Sequence, residues 1–198
     1  MRHIIGIGAA IALAGALAGC AGAPPPLPDP RDTLISVVAV PTPDNVLQYM
    51  IPHSQVFVTG TNFGRAALAG REDALAIRLD HIVVDRLRAA NLGGVLTDTP
   101  SEVALIPKAR LVRDGDTAAL VCTLEAQYSA GGMASSFVHR TYTYSDPHPH
   151  KLVDSGDGWT DNEGALFQRS ARAGMEKLAD QFIADWRRES RARGTTGS

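Results

Sequence analysis

The sequence predicts an α+β fold, a two-layer sandwich in which a mostly antiparallel sheet carries two main helices on one face. Three observations predict it. Apolar residues recur at three- and four-residue spacing in two windows, 68–92 and 160–186. Three long segments of strand composition lie between those windows and are joined by glycine-containing turns. Two further strand-like segments precede the first helical window. Strand, strand, helix, meander and closing helix, in that order, describe one sheet with its helices segregated to a single face. The chain has 198 residues, 44 % hydrophobic, 20 % charged and 6 % aromatic, which suits one compact domain and excludes collagen-like, coiled-coil and wholly disordered chains. A net charge of −2 leaves no surplus of Lys and Arg to neutralise a row of phosphates, so nucleic acid is not an expected partner.

The elements follow in chain order. Residues 34–40, LISVVAV, are β-branched and apolar, and Pro41 and Pro43 end this strand by withholding ladder donors. A second strand is expected near residues 55–61, with a turn or a short helix at 44–50 between them. In the first helical window Leu75, Leu79, Ile82, Val83, Leu87 and Ala90 share a stripe, while Arg71, Asp73, Arg78, Asp85 and Arg88 lie off it. Asn91 and Gly93-Gly94 supply the left-handed conformations that stop a helix, and a short strand is expected at 95–97. Residues 103–113, 117–129 and 134–145 form the meander, with hairpin chemistry at Asp114-Gly115 and Gly131-Gly132. In the third of these strands Val138, Arg140, Tyr142 and Tyr144 share one face, and neither face is purely apolar. Residues 147–158 read as a polar loop or a weak final hairpin. Thr160 and Glu163 stand at capping-box spacing, so a helix is expected to start there. Phe167, Ala171, Gly174, Met175, Leu178, Phe182 and Trp186 then keep one face against the sheet.

The amino terminus has a different logic. Arg2 and His3 precede an uncharged run, residues 4–18, shorter than the roughly 20 residues a membrane-spanning helix needs. The run closes on Leu17-Ala18-Gly19-Cys20. This tetrapeptide after a charged start and an apolar centre resembles the lipobox of bacterial lipoprotein signal peptides. The resemblance implies cleavage before Cys20, a diacylglycerol on its thiol and an acyl group on its amine. Ala21 follows, where Asp would mark inner-membrane retention in the proteobacterial pattern, so in a diderm host the resemblance implies the outer membrane. Residues 21–30, AGAPPPLPDP, favour extended polyproline conformation and read as a stalk. The expected organisation is therefore a signal peptide at 1–19, an acylated Cys20 and Pro-rich linker at 20–33, a periplasmic α+β domain at 34–187 and a basic flexible tail at 188–198. That domain order is similar to small periplasmic domains of several lipoprotein groups, among them auxiliary lipoproteins of ABC-type lipid transport, the lipopolysaccharide-assembly plug lipoprotein and the amino-terminal domain of the Tol-system propeller protein.

The sequence carries few chemical signatures. The phosphate-cradling glycine patterns, the Gly-x-Ser-x-Gly elbow and the His-Glu-x-x-His helix are absent from the chain. Besides Cys20 only Cys122 remains, on the apolar face it shares with Leu120 and Leu124, where a buried inert thiol is expected. The best cluster of donors is Asp146-Pro147-His148-Pro149-His150, with His139 upstream and Asp154, Asp157 and Asp161 downstream. A metal site there needs three or four donors to converge, whereas a solvated turn needs only the turn formers present. The segment 154–161 departs from calcium-loop spacing because Gly156 takes the third ligand position. Asp114 and Asp116 are expected as turn formers, His81 on a charged helix side, and the segment 59–64 as either a ligand loop or a connection. Arg187, Arg188, Arg191 and Arg193 suit either a helix carboxyl end or anionic head groups. Two functions fit these readings. The first is a non-catalytic accessory lipoprotein, held in the membrane through Cys20, serving an envelope transport, secretion or assembly complex, with no cofactor and with Trp159, Tyr142 or Tyr144 as aromatic anchors if exposed. The alternative is a small-ligand or metal-binding lipoprotein using the His148/His150 loop.

Overall fold

The structure is a computed structural model of the chain, and it describes residues 27, 34–39, 47–50, 57–59, 71–92, 94–96, 103–129 and 137–194. Strands β1 (Leu34–Val37), β2 (Leu47–Met50), β3 (Phe57–Thr59), β4 (Gly94–Leu96), β5 (Val103–Asp114), β6 (Thr117–Ser129), β7 (Phe137–Ser145) and β8 (His150–Lys151) form one sheet. Two helices, α1 (Leu79–Ala89) and α2 (Ala165–Gly194), complete the α+β sandwich.

The long β5–β6–β7 meander is the frame. β5 and β6 pair along their whole length, Val103 opposite Tyr128 through Asp114 opposite Thr117. Gly115 turns the hairpin at φ 59°, the sign that a glycine at the first central position of a type II′ turn supplies without strain. Short strands extend the frame on both sides. β1 runs parallel to the first half of β5 and β2 parallel to its second half, with β4 parallel to β1 and β3 antiparallel to β2. On the other side β7 and β8 share one edge of β6.

Alternation along β5 and β6 puts Leu105, Ala109, Leu111, Leu120, Cys122 and Leu124 on one buried face. The expected stripes meet it: Leu79, Ile82, Val83 and Leu87 of α1, and Phe167, Ala171, Met175, Leu178, Phe182 and Trp186 of α2, are all buried. Close approach of α2 needs Gly174, where an added Cβ would stand 2.6 Å from Tyr144 Cδ1 and 3.0 Å from Cys122 Sγ. The helices are also tied to each other. Arg86 forks onto the Asp180 carboxylate, and Arg187 Nη2 donates to the Ala90 carbonyl at 2.8 Å, satisfying an oxygen at the end of α1.

Five departures from the sequence reading have physical causes. β2 occupies part of the stretch expected as turn or short helix, because the second half of β5 offers a ladder edge that no local pattern in 44–50 announces. α1 starts at Leu79 and not near residue 68, since a 3-10 turn at Glu72–Leu75 runs into extended backbone at Ala76, ψ 121°. The capping box does not form: Thr160 donates its hydroxyl to the Leu152 carbonyl at 2.8 Å, and Glu163 is left-handed, φ 57°. α2 continues to Gly194, so residues 188–194 of the expected tail are helical, held by Glu189 and by the Ser190 hydroxyl on the Trp186 carbonyl. Leu27, inside the expected stalk, is buried in the core. The Gly131-Gly132 joint lies outside the described residues.

Candidate functional site

The donors that the sequence groups together are not brought together. His148 is 80 % exposed at its side chain, and its N–H donates to Asp146 Oδ1 at 3.0 Å, a local turn. His150, two residues on, sits edge-on to the buried Trp159, with ring centroids 5.2 Å apart. His139 is exposed on β7, and His81 lies exposed on α1 beside Asp80. Among the described residues no group of three His, Cys, Asp or Glu side chains converges on a metal position. Asp114 and Asp116 flank the β5–β6 turn as expected. Cys20 lies outside the described residues, as do all of residues 59–64 but Thr59.

Cys122 is buried with Sγ near the Ala171 carbonyl, and burial pushes its thiol up to about 12. That is an inert thiol at neutral pH. Trp159 is fully buried and donates Nε1–H to the Ala118 carbonyl at 2.7 Å, so it is no exposed anchor. Tyr142 is buried as well, and Tyr144 is half-buried with Lys177 Nζ 5.1 Å from its ring centre.

Two polar centres dominate the described residues, and the sequence reading assembled neither, naming Asp161 only as a donor downstream of the histidines and Tyr142 only as an aromatic anchor. The first is Asp161. Its Oδ2 accepts from the backbone N–H groups of Asp154, Gly156 and Gly158 at 2.8, 2.9 and 3.0 Å, and its Oδ1 takes Arg71 Nη1 at 3.1 Å. Those donors hold its carboxyl down to about 2, the backbone N–H of Asp154 foremost. The loop thus wraps a carboxylate of its own where a calcium loop would wrap a cation. Around it Asn162, Glu163 and Gly164 are consecutive left-handed residues, and a Cβ on Gly164 would lie 1.8 Å from the Ala74 carbonyl oxygen. A cleft of about 970 Å³ opens beside this turn, lined by residues that include Arg71, Asp73, Asp161 and Gln168. The Asp161 carboxylate in this cleft is already occupied by four donors.

The second centre lies at the far end of α2. Arg140 Nη1 donates to Glu189 Oε1 at 2.6 Å and stands 3.7 Å from Asp185 Oδ2. The Tyr142 hydroxyl donates to Asp185 Oδ2 at 3.1 Å. Burial raises the Tyr142 hydroxyl, with Asp185 beside it, so it remains a proton donor at neutral pH. Glu189 Oε2 accepts the backbone N–H of Leu27 at 2.7 Å. An arginine on a sheet, two acids on a helix and one amide of the Pro-rich segment therefore close into a single network. Arg140 was visible in sequence only as a charge on the β7 face it shares with Val138, Tyr142 and Tyr144, the one signal that the network left there.

No family model matches the chain, and no curated sequence matches it. Solved structures resemble it at low identity. A Xanthomonas campestris protein of the DUF330 family aligns at TM-score 0.43 and 13 % identity, covering 85 % of this chain and 95 % of that one. A PelC dodecamer from Paraburkholderia phytofirmans aligns at TM-score 0.34 and 13 % identity, covering 83 % and 94 %. A Caulobacter crescentus CB15 protein aligns at TM-score 0.33 and 11 % identity, covering 61 % and 88 %.

Proposed function

We propose that the protein is a membrane-anchored periplasmic lipoprotein, acylated on Cys20 and held in the outer membrane, that serves as a non-catalytic accessory component of an envelope transport, secretion or assembly complex. The observation that carries the reading is Leu17-Ala18-Gly19-Cys20 at the end of an uncharged apolar run. Two long acyl chains at about 0.8 kcal/mol per buried CH₂ make such an anchor effectively permanent. The structure supports the accessory role in two ways. Its two polar centres have structural duties, Asp161 in building a loop and Arg140 in fastening a helix to a strand. β7 also has a second edge with no neighbouring strand among the described residues, and a partner strand can add there through backbone hydrogen bonds.

Labelled palmitate in cells tests the anchor: the parent incorporates it and pellets with membranes, and Cys20→Ser does neither. A parent that takes up no label overturns the reading. Crosslinking in intact cells followed by mass spectrometry tests the role, with a stoichiometric envelope protein as the expected product and monomer alone as the result against it.

A further inference from the structure

We infer that the carboxyl end of α2 is a membrane-apposed surface that takes the anionic phosphate head groups of the phospholipids around its own anchor. The inference rests on acylation of Cys20 and adds an orientation to it. Leu27 is buried and hydrogen-bonded to Glu189, so the tether ends on the last turns of α2. Leu27 lies seven positions after Cys20, and seven residue steps span at most about 25 Å at full extension. Whatever path they take, the end of the domain that carries Glu189 is the end held near the bilayer.

The charge on that end suits a phosphate layer. Its acids turn inward: Asp185 and Glu189 are 25 % and 19 % exposed at the side chain and are engaged by Tyr142, Arg140 and Leu27. Its arginines outnumber those acids and lie on the outside: Arg188 is 72 % exposed while its Nη2 reaches Asp185 Oδ1 at 2.7 Å, and Arg187 and Arg191 are exposed beside it. A Lys or Arg near an anionic leaflet strengthens attachment about 5-fold, and the tether keeps these arginines within reach of the surface. The lipid belongs to the leaflet that receives the acyl chains, which makes phospholipid the source of the phosphate.

The test uses the mature acylated protein in phosphatidylcholine vesicles with and without phosphatidylglycerol, each carrying a head-group quencher. A fluorophore is placed on Ala192→Cys near the end of α2 or on Asp116→Cys in the distant β5–β6 turn, both exposed positions, while Cys122 is buried. The expected result is strong quenching at 192 and little at 116, enhanced by phosphatidylglycerol, relieved by salt, and weakened about 5-fold for each of Arg188→Gln and Arg191→Gln. Arg187 is left in place because it caps α1. Equal quenching at both positions, or indifference to phosphatidylglycerol, in protein that is acylated and vesicle-bound overturns this inference alone. Absence of an acyl chain on Cys20 overturns it together with the anchor on which it rests.

Discussion

At Gly164 two demands coincide, a left-handed backbone at φ 74° and a carbonyl oxygen of Ala74 where a side chain would begin. Any Cβ must push apart the 3-10 turn and the start of α2. Gly164→Ala is expected to destabilise the fold by about 4 kcal/mol, read from denaturant unfolding, and an unchanged midpoint would contradict the packing described. Asp161 governs the neighbouring loop through charge. Its carboxyl titrates at about 2 when folded and near ~3.9 in an unfolded chain. A depressed folded value means stability that is present above the unfolded value and lost as pH falls through the folded one. Asp161→Asn should therefore lower the melting temperature at neutral pH and reduce the drop in melting temperature that the parent shows on acidification, a comparison made by thermal melts across the acid range.

Among the elements, α2 was the most legible, because seven apolar positions at helical spacing admit one reading and all seven are buried. Phe182 sits at its centre, edge-on to Tyr142 at 6.1 Å and to Trp186 at 5.1 Å. Phe182→Ala should cost about 3–5 kcal/mol, measured by urea unfolding, with a loss below ~1 kcal/mol counting against a core position. The meander was equally plain, since alternation and turn glycines are local signals. What escaped was non-local. β2 is made by the edge of β5 rather than by its own four residues. The capping box failed because Thr160 and Glu163 answer to the loop before them, not to the helix after them. The two polar centres were illegible for the same reason: the Leu27–Glu189 bond joins positions 162 apart, and the Arg71–Asp161 bond positions 90 apart. The histidine cluster was legible as a cluster, yet its two rings have different surroundings, water for His148 and Trp159 for His150.

For the whole molecule the decisive contact is the one between its beginning and its end. Leu27 contributes a fully buried side chain and an N–H to a carboxylate that Arg140 already orients. Leu27→Ala should cost about 2–3 kcal/mol in thermal or denaturant unfolding and should expose the 21–30 segment to protease in the folded protein. A stability equal to the parent's would show that the segment does not bear on the core.

That fastening also sets an order of events. A polypeptide made from its amino terminus presents Leu27 long before Glu189 exists, so the knot at the helix end is tied after synthesis has all but finished. Until then the clasp is open, and a product truncated ahead of α2 never gains it.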